Sequence, residues 1–401
     1  VSFRIEAGTG RARAGILETP HGSIRTPAFI PVGTKATVKA VLPETMAELG
    51  AQGVLANAYH LYLQPGSDVI RAAGGLGAFM NWPGPTFTDS GGFQVLSLGI
   101  GFKKVLAMQE QSAGAVVAAR KERLAHVDDD GVTFKSHLDG SLHRFTPEIS
   151  MRVQHDIGAD IIFAFDELTT LMNSREYQVH SVERTYQWAQ RCVIEHDRLS
   201  LEHPERPRQA LFGVIQGAQY EDLRRLAAQQ LSGLPFAGFG IGGAIEKTKL
   251  AEIVRWVVDE LPEDKPRHLL GIGEPDDLLA AIEEGVDTFD CVAPTRNARN
   301  SAVMTRSGRF NLLTSASRRA FVPIDDECDC YTCMHYTRAY LNHAFKSKEM
   351  IASTLASIHN ERFIIDLVDR ARIAIMAGEF EAFRREFVGR YYSGQGVVAR
   401  P

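Results

Sequence analysis

Asp290 closes the short apolar run Val286-Asp287-Thr288-Phe289, just ahead of Ala293-Pro294, where a strand must stop and a carboxylate would face a loop-lined cleft. From Cys291 to Ile324 the chain carries Arg296, Arg299, Arg306, Arg309, Arg318 and Arg319 and no Asp or Glu, although its net charge is -5. An acid beside a confined cationic field suits a nucleophile or base acting on a polyanion. The plain alternative is a turn cap next to solvated arginines. Other apolar runs also end in polar groups: Thr88-Asp89-Ser90-Gly91-Gly92-Phe93-Gln94, Ala164-Phe165-Asp166-Glu167 and Val214-Ile215-Gln216-Gly217. Gly242-Gly243 and Leu270-Gly271 follow two more. Glycines at such places let a planar ligand approach the backbone amides.

A second cluster has different chemistry. Cys328, Cys330 and Cys333 place three thiolates within reach of one tetrahedral ion, and spacing alone offers His335, His343 or His359 as the fourth ligand. A closed shell of three Cys and one His is structural, and its softness points to zinc. The remaining cysteines, Cys192 and Cys291, are far apart, so the set does not read as a disulfide framework.

Eight candidate strands would position these groups: 28–32, 53–58, 86–89, 160–166, 210–216, 238–242, 268–273 and 286–290. Helix signals fall between them, at Pro43-Glu44, Thr146-Pro147-Glu148, 174–198, 221–231, 249–261 and Glu274-Pro275. This alternation predicts a (β/α)₈ TIM barrel, whose catalytic residues gather at the C-terminal ends of the strands. The expected organisation is a catalytic barrel over 1–300 with an insertion at about 101–146, a zinc-binding subdomain with C-terminal helices over 301–392, and a tail over 393–401. The insertion holds an Ala-rich helical piece (104–124), the solvated acidic turn Asp128-Asp129-Asp130 and a hairpin around Asp139-Gly140. Within the last region a helix is expected over 348–377, apolar on one face. Gly238-Phe239-Gly240-Ile241-Gly242-Gly243 lacks the acidic partner and spacing of a dinucleotide fingerprint.

At 401 residues, 44% hydrophobic and 23% charged, the chain can bury a large core, and no apolar run is long enough for a membrane span. Val1-Ser-Phe-Arg-Ile-Glu6 has no secretory signal, which reads as cytoplasmic. The overall charge disfavours a protein coated in nucleic acid but permits a confined basic face.

From about Phe29 to Val388, the order and spacing of these motifs, together with Gly242-Gly243, Phe289-Asp290-Cys291-Val292, Pro294-Thr295-Arg296 and Ile358-His359-Asn360, resemble bacterial tRNA-guanine transglycosylase. The resemblance implies a barrel with a zinc subdomain that exchanges the wobble guanine of tRNAs with GUN anticodons for a 7-deazaguanine, in queuosine biosynthesis. It implies Asp290 as nucleophile, through a covalent tRNA intermediate, and Asp89 as general acid/base, a division of labour shared with retaining glycosidases. Asp166 and Gln216 would read the edge of the base, Gly242 and Gly243 would line its site with the Gly243 N–H on the base carbonyl, and Phe93 and Leu270 would sandwich it. Arg296 and Arg299 would meet the flanking uridines and the wider arginine field the loop phosphates, after the base flips from its stack. His359 would be the fourth ligand of one structural zinc per chain, and the assembly would be a homodimer.

The pattern departs from the family at Ala244-Ile245-Glu246-Lys247 and at Leu168, where many bacterial members carry Cys and queuine users tend to carry Val. The expected incoming base is 7-aminomethyl-7-deazaguanine, with queuine the alternative. More remote readings are a TIM-barrel glycoside hydrolase acting through Asp89 and Asp290, an enzyme inserting deazaguanine into DNA, or a noncatalytic RNA-binding subunit, which would not need both acids. For Phe93, core packing is the competing reading; for Asp89, a helix cap.

Overall fold

The computed structural model describes residues 1–92 and 125–393. Phe93 and the 104–124 piece lie outside the described residues, as does nearly all of the expected tail. The chain opens with three antiparallel strands, β1 (Ser2–Thr9), β2 (Ala12–Thr19) and β3 (Gly22–Thr26). These strands are not legible in the sequence, because charged residues and exposed faces on β1 and β3 break the apolar runs by which the barrel strands are recognised. Leu17 and Ile24 join the barrel's interior cluster. Arg13, buried on β2, grips Asp287 through Nε (2.9 Å) and Nη2, and its other protons reach the carbonyls of Glu263 and Lys265. An ion pair so enclosed is stable only because nearly every polar atom has a partner.

The eight parallel strands follow as expected: β4 (Ala28–Pro31), β5 (Val54–Ala56), β6 (Thr86–Thr88), β10 (Ile161–Phe163), β11 (Ala210–Ile215), β12 (Gly238–Ile241), β13 (Arg267–Leu269) and β14 (Thr288–Cys291), with β7 (Ala125–Asp128), β8 (Gly131–Lys135) and β9 (Leu142–Phe145) inserted after β6. Their spatial order is β4-β14-β13-β12-β11-β10-β6-β5. A bridge between Val32 and Leu55, with Gly33 N–H donating to the Leu55 carbonyl at 2.7 Å, closes the ring. This is the (β/α)₈ barrel.

Phe87, Phe163, Phe212, Ile30 and Leu55 fill its interior. The glycines of β12 make room for the rings: a Cβ on Gly238 would lie 2.5 Å from Phe212 Cζ, and one on Gly240 3.0 Å from Phe163 Cε1. That close approach, rather than phosphate binding, accounts for the glycine pattern of this strand. Helices start where their signals predict. Thr146 and Ser174 accept the N–H groups of Ile149 and Tyr177 as N-caps of Pro147–Ile157 and Arg175–Glu202.

The insertion folds as a three-stranded antiparallel sheet, β7 (Ala125–Asp128), β8 (Gly131–Lys135) and β9 (Leu142–Phe145), which is the expected hairpin plus one strand. Its acidic turn is exposed as expected, and it is also tethered. Asp128 pairs with Arg144 at 2.6 Å and Asp129 with Arg184 at 3.1 Å. Beyond the barrel come the hairpin β15 (Ala302–Thr305) and β16 (Gly308–Asn311), then the helices Tyr331–His335, Arg338–Lys346, Met350–Ala377 and Phe380–Ser393. The long helix is not one-faced: Leu355 to Glu361 are all buried, because barrel strands, the N-terminal sheet and the cysteine turn surround it.

Candidate active site and metal centre

Asp89 follows β6 and is nearly buried. Its carboxylate accepts from Asn57 Nδ2, from the backbone N–H of Ala58 at 2.8 Å and from that of Gly91 at 3.2 Å. The next residue, Ser90, donates from Oγ to Asp166 Oδ1 at 2.9 Å, and Gln216 Nε2 donates to Asp166 Oδ2 at 2.6 Å. The ends of three neighbouring strands, β6, β10 and β11, are thus joined through Asp166. Burial is the main cause that pushes the Asp166 carboxyl up to about 6; the two donors oppose this and the charge of Asp89 adds to it.

Gln216 Oε1 is buried without a partner. It faces Gly243, where a Cβ would stand 2.5 Å away on a backbone with φ +92°. Only glycine avoids both the clash and the strain there. Behind it the fully buried Arg224 donates to the carbonyls of Ala218 (2.8 Å), Ile215 (3.1 Å) and Gly242 (2.7 Å), tying β11 to β12. Among the described residues no acid pairs with it, and burial lowers its guanidinium to about 9. Leu270 is half-buried against Gly240 and Gly242. Asp290 lies within β14, a residue before the strand's end, where its Oδ1 meets His268 Nε2 and the Gly271 N–H, each at 3.1 Å.

Because the strands are parallel, Asp89, Asp166, Gln216, Gly242, Gly243, Leu270 and Asp290 all belong to the C-terminal rim. Asn57, Ser90, Arg224 and His268 were not anticipated. The first three hold the polar network from outside the motifs' most telling positions. His268 had a usable signal: it shares strand parity with Leu270 and is the register partner of Thr288, two residues from Asp290.

Arg296 and Arg299 lie on the helix Ala293–Arg299 directly after β14, where Ala293-Pro294 starts a helix rather than a loop. Arg296 is exposed, and Arg299 has a buried Nη1 without a partner. Burial and the neighbouring Arg296 depress the Arg299 guanidinium. Lys39, in the loop after β4, is lowered by burial, then by Arg299 and Lys35, so four cations share one side of the mouth. By contrast, Arg306 is engaged by Asp366 (3.0 Å) and Glu327, and Arg309 by Glu274 (2.6 Å). Arg318 and Arg319 are exposed. Among the described residues the arginine field therefore divides into a part without acidic partners and a braced part.

The donor atoms of Cys328, Cys330, Cys333 and His359 all lie within 4.8 Å of one another, so this cluster could hold a metal ion. His359 Nδ1 is 3.2 Å from Cys333 Sγ and 3.7 Å from Cys330 Sγ. His359 Nε2 donates to the Met304 carbonyl at 2.6 Å, which leaves the Nδ1 lone pair facing the thiols. His335 and His343 are exposed. Adjacent Asn360 donates to the carbonyls of Pro294 (3.1 Å) and Ala302 (3.0 Å) and accepts from Met304 N–H, connecting the cluster's helix to the segment after β14.

Among the described residues no helix is long and apolar enough to cross a membrane. The family model for queuine tRNA-ribosyltransferase matches residues 8–393. A queuine tRNA-ribosyltransferase of Moorella thermoacetica is 46% identical over 388 residues, 96% of this chain and 95% of the relative. One from Caldanaerobacter subterraneus subsp. tengcongensis is 45% identical, with 96% of each chain covered, and one from Pelotomaculum thermopropionicum is 44% identical over 397 residues, covering 98% and 99%. With its motifs, its barrel and these matches in agreement, the chain belongs to the queuine tRNA-ribosyltransferase family, the tRNA-guanine transglycosylases.

Proposed function

We propose that this chain replaces the wobble guanine of tRNAs with GUN anticodons by 7-aminomethyl-7-deazaguanine, in the pathway to queuosine. Asp290 attacks the anomeric carbon and forms a covalent tRNA intermediate, while Asp89 protonates the departing base and takes the proton of the incoming one. The carrying observation is the hydrogen-bonded chain Ser90-Asp166-Gln216, with Asp89 the residue before Ser90, on the same rim as Asp290. Asp166 accepts from the amino and ring N–H groups of the base, Gln216 donates to its carbonyl, and Gly243 offers its N–H. Asp166 and Gln216 bond each other here, so a base of complementary edge exchanges one internal hydrogen bond for several. Phe93 and Leu270 supply the faces of the sandwich, and Gly242 its floor.

Arg296 and Arg299, with Lys35 and Lys39, fit the anticodon loop. Cys328, Cys330, Cys333 and His359 fit one structural zinc per chain. That ion would brace the helix Ala293–Arg299 through Asn360 and supply no chemistry at the mouth. We read 1–300 as the catalytic unit with its insertion, 301–392 as the subdomain packed on it, and the cytoplasm as its place of work. Exposed Phe321 (77%) and Met334 (67%) near the cysteine turn suit a homodimer interface. Queuine is the second reading, favoured by the half-buried apolar Leu168 and Ile245.

Labelled guanine should enter total tRNA and be chased by 7-aminomethyl-7-deazaguanine more efficiently than by queuine. Asp290→Ala should abolish exchange and the covalent adduct while tRNA still binds. Exchange surviving in that variant would end the nucleophile assignment, and a queuine preference would reverse the order of the two bases.

A further inference from the structure

Asp290 Oδ1 accepts from both His268 Nε2 and the Gly271 N–H, whereas Oδ2 accepts from no described residue. His268 is wholly buried, its ring 5.2 Å from that of Phe163 and 5.8 Å from that of Phe87, centroid to centroid. Its other nitrogen, Nδ1, stands 2.9 Å from Thr288 Oγ1. An ionised carboxylate only accepts hydrogen bonds, so Nε2 carries the proton; in the neutral ring Nδ1 then accepts from the Thr288 hydroxyl. Strand register fixes this arrangement. Thr288 and Asp290 are alternate residues of β14 and face the barrel interior, and His268 is the partner of Thr288 on β13.

We propose that His268 is a positioning residue for Asp290, and that the oxygen it leaves free, Oδ2, is the one that attacks. The inference rests on the transglycosylase reading above. An Oδ2 lone pair forms the bond to the anomeric carbon as the bond from that carbon to the base nitrogen breaks; the electron pair leaves with the base, which takes a proton from Asp89. Oδ1 becomes the ester carbonyl, still held by both donors. When the incoming base attacks the same carbon and gives its proton to Asp89, the ester bond breaks and the electron pair returns to Oδ2. The donors on Oδ1 stabilise the carboxylate as it leaves.

The test compares wild type with His268→Phe, His268→Gln and Asp290→Ala, measuring kcat, KM for tRNA and the single-turnover rate of adduct formation. Phenylalanine preserves the aromatic packing and removes the donor. It should lower kcat and the adduct rate on the order of 10²-fold, the cost of a misplaced reacting group, with KM for tRNA within about twofold. Glutamine, whose amide restores a donor, should recover about tenfold of that loss. A role confined to packing predicts the reverse order. Wild-type kcat in His268→Phe, or no recovery in His268→Gln, overturns the inference. If Asp290→Ala remains active, the nucleophile reading itself has failed; if it is inactive while His268→Phe is normal, only the positioning role has failed. Should His268→Phe not fold, Thr288→Val tests the same chain of hydrogen bonds, with a several-fold loss of kcat at unchanged KM expected and an unchanged kcat overturning it.

Discussion

The barrel mouth and the cysteine cluster are built on opposite plans. The mouth gathers Asn57, Asp89, Asp166, Gln216, Gly243 and Asp290 from strands spread across more than half of the chain, and it leaves Gln216 Oε1 and Arg224 Nη2 buried and unpartnered. The cluster, which could hold a metal ion, takes three thiols from one turn and an imidazole from a helix against it, and its His359 has both ring nitrogens engaged. A closed shell contributes stability, whereas buried groups without partners cost stability and remain available to a ligand. Substitutions at the two places should therefore fail differently.

The largest effect is expected at Asp89. Asp89→Asn should reduce exchange roughly 10²- to 10⁴-fold, as loss of a general acid/base does, with thermal stability near wild type; steady-state kinetics alongside a melting curve would check both halves. At the other centre, Cys333→Ala should release the metal and cost several kcal/mol of stability, with activity falling as the protein unfolds. One zinc per wild-type chain by elemental analysis, and its loss in the variant, would establish the link. A variant that keeps its metal and its melting temperature would remove the contrast.

A subtler difference lies in pH. Asp166 is held at about 6, above its ordinary 3.8, so the folded chain binds this proton more tightly than the unfolded one. Its stabilising contribution is complete below the unfolded value and is lost as pH rises through about 6. Asp166→Asn should consequently raise stability at pH 8 by ~1–3 kcal/mol while weakening base binding. In the wild type, KM for the base should climb as pH falls below about 6, because the ionised acceptor disappears. A KM that is flat from pH 5 to 8 would contradict the assigned role. The smallest effect is expected at the cationic edge: Lys35→Ala and Lys39→Ala should each raise KM for tRNA only a few-fold and lower the slope of binding against salt by about one. Unchanged salt dependence would exclude both from the RNA path.

The braced arginines illustrate the limit of reading charge in one dimension. Arg296, Arg299, Arg306 and Arg309 looked equivalent in sequence, yet Arg306 and Arg309 are engaged by Asp366 and Glu274, acids outside the run that defined the island. Among the described residues Lys35 and Lys39 belong to the group without acidic partners although they lie more than two hundred residues earlier. The N-terminal sheet escaped notice for a related reason: its outer strands are mostly exposed and carry charges, and its packing through Leu17 and Ile24 into the barrel's interior cluster depends on residues distant in sequence.

Local chemistry was enough for some features. Eight apolar runs separated by helix caps specify a barrel, three crowded thiols mark a cluster that could hold a metal ion, and motif order specifies the family, because each depends on neighbours along the chain. Spacing left three histidines open and motif order pointed to His359, whereas tertiary structure alone decided that Asp166 couples the ends of three strands and that His268 bears on Asp290. These depend on register and burial, which bring residues together across a closed sheet and set the solvent exposure that governs their charges.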